Sequence, residues 1–398
     1  MARDQHGGTA GRRDDGASGT LTVGRLFGFP LRLHWSWPIA LALIAWSLQA
    51  SYLPDVYPEW SDERRWAIGV VTAVLFFGSV LAHELAHARV ARARGHAVES
   101  ITLFVFGGVS AIATEARNAR DEFWIAIVGP LSSVALAVLL AGVWLGTRAA
   151  GLDAVYPLAG YLAYVNVTVA VFNLLPGFPL DGGRVLRALL WGARGDELSA
   201  TRIASRVGRA LAGGMIGGGL LLALGGAGVG AIWLVFIGWI LWSAAESTYR
   251  QRLVQLSLTG VRAGDLADQH VAWVTPDTTL RDLVTERALR HGTRTFMVAA
   301  VTGGDVLGLV SLTDLARFPE AQWGATSVFR AMTPRAQLVT IEASTEALEA
   351  LRLMVERDVN QLPVFSGGSL VGLLTRAALL QAIDVRARFG AGQGRQSG

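Results

Sequence analysis

His83, Glu84 and His87 stand inside "LFFGSVLAHELAHARVAR", Leu75 to Arg92, a run in which most neighbours are apolar. Residues four apart on a helix share a face, with stems about 6 Å apart, so these two imidazoles can hold one Zn²⁺. Glu84, one step round the helix, can reach a water on that ion and take its proton. The setting sharpens the argument. An acidic or basic residue at mid-depth in a membrane helix costs roughly 2.5–3.5 kcal/mol on insertion scales, and such residues are kept for function. The competing reading is a polar helix interface with the histidines as hydrogen-bonding glue, a role that Ser, Thr or Asn more often fills.

Two histidines do not complete a catalytic zinc site, which has three protein ligands and one open position. A second polar island lies in "VNVTVAVFNLLPGFPLDGGRVLRALLW". Pro176, Pro179, Gly182 and Gly183 break the helix there. Asp181 sits among them between apolar runs, a natural hard-oxygen ligand. Its competing role is the N-cap of the helix that follows.

HExxH in an early span, with "NLLPGFPLDGG" (Asn173 to Gly183) in a later one, resembles the site-2 protease family of intramembrane zinc metalloproteases. The similarity covers roughly residues 20–250, including "GFPLRLHWSW" and "FVFGGVSAI". The resemblance implies that His83, His87 and Asp181 are the zinc ligands and Glu84 the catalytic base. It implies that Asn173 hydrogen-bonds the scissile carbonyl. It also implies a substrate that is a single-span membrane regulator, such as an anti-sigma factor already cut outside.

The elements that must position these residues are membrane helices. The chain has 398 residues, 52% of them hydrophobic and 17% charged, with a mean hydropathy of +0.41. That is too apolar for a soluble chain, which averages about 25% charged residues. Six hydrophobic segments are expected, near 36–53, 67–90, 122–146, 155–176, 207–225 and 229–246. There is no cysteine, which excludes disulfides and thiolate metal sites. All 35 basic residues are arginine, and with the abundant Ala and Gly this suggests a bacterial chain. The net charge of +4 reflects arginines in cytoplasmic membrane loops rather than a nucleic-acid partner. "PDVYPEWSDERR" is acidic, whereas "RVARARGH" and the stretch after the fourth segment are basic. The positive-inside rule then places both termini in the cytoplasm of a multi-pass protein of the bacterial plasma membrane. No signal peptide is expected. Residues 1–20 read as a disordered head and 387–398 as a disordered tail. "ESITLFVFGGVSAIATEARNAR", residues 99–120, is too short and strand-like to span, and reads as a hairpin re-entering the bilayer from the cytoplasmic side, backed by protein or lining a wet cavity.

After about residue 255 the pattern changes. Two similar helix–strand–strand–helix halves follow, offset by roughly 65 residues, an internal repeat. They resemble a pair of cystathionine-β-synthase (CBS) domains, expected at 261–318 and 326–386. The fold class expected is thus a polytopic α-helical membrane protein, residues 21–250, followed by a soluble α/β CBS pair. "GLVSLTDL" matches the nucleotide motif of that family, so Ser311 and Asp314 are candidates to bind phosphate and ribose hydroxyls of an adenine nucleotide. The second half keeps Gly372 and Thr375 but has Ala378 in place of the carboxylate. The alternative for the pair is a disc that only makes a homodimer. Two other readings of the whole chain stand beside the protease: a CBS-gated transporter, which predicts repeats among the spans, and a non-catalytic helix-binding relative, which would have lost a ligand or the glutamate.

Overall fold

In lipid, a spanning segment must satisfy its backbone hydrogen bonds internally. Among the described residues of the computed structural model, five helices are long and apolar enough to do so: Trp37–Val56, Asp62–Ala93, Ala119–Ala149, Glu197–Leu224 and Gly230–Leu258. The structure describes residues 19–105, 107–112, 116–152, 155–226 and 228–389. Residues 1–18 of the expected head and 390–398 of the expected tail lie outside them. The chain forms two compact units that divide between Tyr249 and Arg250.

In the first unit the helices are α1 (Trp37–Ser47), α2 (Leu53–Val56), α3 (Asp62–Ala93), α4 (Ala119–Ala149), α5 (Tyr156–Asn173), α6 (Asp181–Arg194), α7 (Glu197–Leu224) and α8 (Val229–Leu258). The segment expected at 155–176 is α5, 18 residues long, with Asn166 and Asn173 lowering its hydropathy. It falls outside the five candidate spans. The packing is inside-out relative to a soluble protein. Leu139, Leu145, Leu221 and Leu224 are exposed, while His83, His87, Glu122 and Asn166 are buried. Small residues (Gly69, Ala73, Ala88 and Ala91) let α3 approach its neighbours closely.

The amino-terminal hairpin, β1 (Thr20–Leu26) and β2 (Phe29–His34), and the segment expected to re-enter, β3 (Val98–Phe104) and β4 (Gly107–Ile112), make one sheet in the order β1-β2-β3-β4. β2 and β3 pair in parallel, Leu31 opposite Ile101 and Leu33 opposite Leu103. Phe29, Ile101 and Ala88 form a buried cluster with Leu31, Leu81, Leu85 and Val98, which seats the sheet on α3. β4 is an edge strand.

The second unit has two sheets: β5 (Trp273–Val274), β6 (Thr295–Ala299), β7 (Val306–Ser311) and β8 (Thr333–Pro334) in the order β5-β6-β7-β8, and β9 (Ile341–Glu342), β10 (Gln361–Ser366) and β11 (Ser369–Thr375) in the order β11-β10-β9. The repeat is sequential, but its packing is exchanged. β8 (Thr333–Pro334), at the start of the second half, pairs with β7 (Val306–Ser311) of the first. Val261 and Ala263, at the start of the first half, are buried in the core of the second with Ala347, Leu362 and Leu374. A further cluster of Met297, Leu309, Phe365 and Leu373 joins the halves. Residues 247–258 are the carboxy-terminal end of α8.

Candidate metal centre

Leu81, Leu85 and Ala88 turn one face of α3 to the sheet. The 3.6-residue period puts His83 and His87 on another face, toward α4 and α6. Both are buried, 6% and 4% exposed. Their Nε2 atoms lie 3.1 Å apart, and Asp181 Oδ2 lies 3.1 Å from the first and 3.2 Å from the second. Each imidazole is held from behind by α4. His87 Nδ1 is 2.6 Å from the carbonyl oxygen of Ile125, and His83 Nδ1 is 2.9 Å from Ser133 Oγ. A carbonyl only accepts, so His87 Nδ1 carries the proton and its Nε2 presents a lone pair. With Ser133 Oγ accepting from His83 Nδ1 in the same way, the Nε2 lone pairs of two neutral rings and the Asp181 carboxylate converge as a donor set for one cation.

The spacing suits zinc. Tetrahedral coordination at about 2.0–2.1 Å from the ion gives ligand–ligand edges of about 3.3 Å. His83, His87 and Asp181 form a group whose ligand atoms all lie within 4.8 Å of one another. Room for an ion is kept by Gly129 of α4. A Cβ there would overlap His87 Nε2 and stand 2.7 Å from His83 Nε2.

Asp181 is the first residue of α6, and Leu180 occupies the N-cap position. The carboxylate thus reaches the histidines rather than capping its own helix. Gly182 and Gly183 make the approach feasible, since a Cβ on either would overlap the backbone of residues 174–178.

Glu84 lies about 100° round the helix from His83 and about 60° from His87, toward β4. Ser110 Oγ lies 2.7 Å from Glu84 Oε2 and 3.0 Å from the Glu84 carbonyl oxygen. At Gly108 a Cβ would stand 2.6 Å from Glu84 Cγ, so the strand passes this close only because the residue is glycine. Glu84, His83, Asp181 and Gly108 line a cavity of about 690 Å³, and Asn173, the last residue of α5, lines it too. Asn166 donates to Ser79 Oγ at 3.2 Å and to the Leu162 carbonyl at 2.8 Å, which makes it helix glue as well as cavity wall.

Two histidines behave differently. His34 Nδ1 lies 2.7 Å from Ser36 Oγ at the foot of the hairpin. His96, which its position past a helix end suggests is solvated, is only 2% exposed. Gly95 takes a positive φ of 81°, and the chain doubles back so that His96 N bonds the Ala91 carbonyl, with the ring 4.0 Å from Asp121 Oδ2.

In the second unit Ser311 and Asp314 are together at one helix start. Asp314 Oδ2 accepts from Ser311 N at 2.9 Å and from Ser311 Oγ at 2.7 Å, and Arg317 Nη2 lies 3.1 Å from Oδ1. In the second half Thr375 Oγ accepts from Ala378 N at 3.1 Å, with no carboxylate beside it. Gly129 and Ser133, beside the two histidines, and Ser110, beside Glu84, are the neighbours that motif reading missed. In sequence they are ordinary small residues within apolar runs.

Residues 71–149 and 147–215 match peptidase family M50, and 263–321 and 328–385 each match the CBS domain. A protein of Mycobacterium tuberculosis strain H37Rv named as a zinc metalloprotease, Rip3, is 36% identical over 375 residues, covering 92% of this chain and 93% of its own. The Synechocystis protein sll0528, also named as a zinc metalloprotease, is 32% identical over 382 residues, covering 92% and 96%. The solved site-2 protease from Methanocaldococcus jannaschii is 29% identical over 58% of this chain and 95% of its own, with a TM-score of 0.40.

Proposed function

The chain belongs to peptidase family M50, and on that premise we propose that His83, His87 and Asp181 hold its zinc, Glu84 is the general base and Asn173 orients the scissile carbonyl. It is an intramembrane zinc metalloendopeptidase with a CBS pair. The observation that carries the assignment of roles is the triangle of two Nε2 atoms and one carboxylate oxygen beside Glu84 in a single cavity.

Zinc in that set supplies a Lewis acid that activates water near neutral pH and polarises a carbonyl. Glu84 accepts a proton from the attacking water and later delivers it to the leaving amide nitrogen. Ser110 Oγ steadies the carboxylate between those events. Asn173 donates a hydrogen bond from Nδ2 to the carbonyl oxygen. The bonds from Nδ1 of His87 and His83 keep both rings in one tautomer. A helical substrate has its backbone closed to attack, so it must unwind locally. The free edge of β4, beside the cavity, is suited to receive the extended segment by strand addition.

Family membership supports a single-span membrane protein, such as an anti-sigma factor, as substrate. The basic loops support a plasma-membrane orientation with both termini cytoplasmic, which requires α5 to cross as a sixth span beside the five candidates. The two units and the paired CBS matches support a protease domain over 21–250 followed by CBS halves at 261–318 and 326–386. Ser311 and Asp314 are proposed to bind an adenine nucleotide that regulates cleavage, with a CBS-mediated homodimer as the alternative role. The nucleotide must displace the bonds Asp314 makes to Ser311 and Arg317.

The test of the role assignment is Glu84→Gln in the purified full-length protein. Zinc content should stay near one per chain, while cleavage of a model single-span substrate falls by about 10²–10⁴-fold, the usual worth of a general base. Near-normal turnover would overturn the assignment.

A further inference from the structure

We propose that Glu122 is a positioning residue of the metal centre: through Arg184 and Arg187 it fixes α6, and with it Asp181, in register against α4. The inference rests on the reading of His83, His87 and Asp181 as the zinc ligands.

Glu122 is 1% exposed, in the first turn of a helix long enough to span the membrane. Two guanidinium groups from α6 meet it. Arg187 Nη2 donates to Glu122 Oε1 at 2.6 Å, and Arg184 Nε donates to the same oxygen at 3.0 Å. Arg184 and Arg187 stand three and six residues after Asp181, so one short rigid helix carries the ligand and both ends of the lock. The same stripe of α4 serves the other two ligands. Ile125, Gly129 and Ser133 follow Glu122 by three, seven and eleven residues, a single helix face. Ile125 holds His87, Ser133 holds His83, and Gly129 leaves the space between them. Glu122 extends that face to the third ligand, which otherwise hangs on the Pro- and Gly-broken loop before α6.

Buried ion pairs are a weak source of stability, and their best-attested use is to set register. A metal site is the place where register matters, because its ligands must hold to about 0.5 Å. The charges agree with this role. Glu122 and Asp181 balance Arg184 and Arg187 one for one. Removing the charge at 122 leaves two guanidiniums, one and two turns away, to compete with the histidines for the Asp181 carboxylate.

The experiment uses the full-length protein, stripped of metal and titrated with zinc against a chromophoric chelator, and in parallel with Co²⁺ to record its ligand-field spectrum. Failure of the parent protein to bind zinc would sink the ligand assignment itself. With a zinc-binding parent, Glu122→Gln should bind zinc about 10–100-fold more weakly, the range for lost outer-shell partners, and alter the Co²⁺ spectrum. Glu122→Asp, which keeps the charge one methylene short, should show a smaller loss of the same kind, and decides the matter if the Gln variant does not fold. In an Asp181→Ala background Glu122→Gln should add no further loss, because its effect runs through that ligand. Zinc affinity within twofold of the parent and an unaltered spectrum would overturn the proposal. So would an equal loss with Asp181 already removed, which marks a general effect on the fold.

Discussion

Gly129→Ala tests the geometry of the metal centre with one methyl group. The added Cβ would stand 2.7 Å from His83 Nε2 and 2.5 Å from His87 Cε1, and would overlap His87 Nε2. Normal contact is about 3.5 Å, so the methyl intrudes by roughly 1 Å on both rings. Two terms oppose each other. Alanine in mid-helix gains about 1 kcal/mol over glycine. Overpacking of this kind costs about 1–3 kcal/mol. Without metal, the rings can swing aside, giving up bonds to Ile125 and Ser133 worth about 1 kcal/mol each against the alanine gain of about 1 kcal/mol, so unfolding stability should fall by only about 1 kcal/mol. With metal the rings must return, and the whole clash falls on the bound state. At about 1.4 kcal/mol per decade, 1–3 kcal/mol is a loss of roughly 5- to 150-fold in zinc affinity. The assay is the same chelator competition, paired with thermal unfolding of the metal-free protein. Gly142→Ala on the same helix, where nothing lies within 4 Å of an added Cβ, is the control and should leave zinc affinity unchanged. Zinc binding by Gly129→Ala within twofold of the parent would refute the claim that this glycine makes room for the ion.

Three further outcomes are expected. Ser110→Ala should leave zinc affinity unchanged and lower kcat by about 2–10-fold, since it removes one hydrogen bond of about 1 kcal/mol from Glu84; a fall in zinc content instead would place Ser110 in the metal site. Tags at both termini should resist protease added outside intact cells, whereas a cleavage site placed between Asp55 and Glu63 should be cut; loss of the carboxy-terminal tag would invert the orientation. Calorimetric titration of the full-length protein with AMP, ADP and ATP should show at most one site per chain, lost in Asp314→Ala; no binding at millimolar nucleotide, or binding indifferent to that substitution, would leave dimerisation as the role of the CBS pair.

His83, Glu84, His87, Asn173 and Asp181 stood out in the sequence as candidates because an ionisable or amide group inside an apolar run is costly wherever the chain folds. The spans were legible for a related reason: bilayer thickness and the 3.6-residue period act on local sequence. α5 shows the margin of that reading: expected as a span, it is 18 residues long, carries Asn166 and Asn173, and falls outside the five candidate spans. The CBS repeat declared itself through self-similarity. Its exchanged packing did not, because nothing local in Val261 or Thr333 says which half's core it will complete. The parallel pairing of β2 with β3 likewise joins two hairpins far apart in the chain, and only their common seat on α3 brings them together. Glu122 obeyed the same rule as the HELAH glutamate and was still passed over, for its meaning lies in two arginines from a different helix. Gly129 is the extreme case. Its function is the absence of a side chain, and an absence acquires a physical consequence only once tertiary packing has set two imidazole nitrogens where a Cβ would have been.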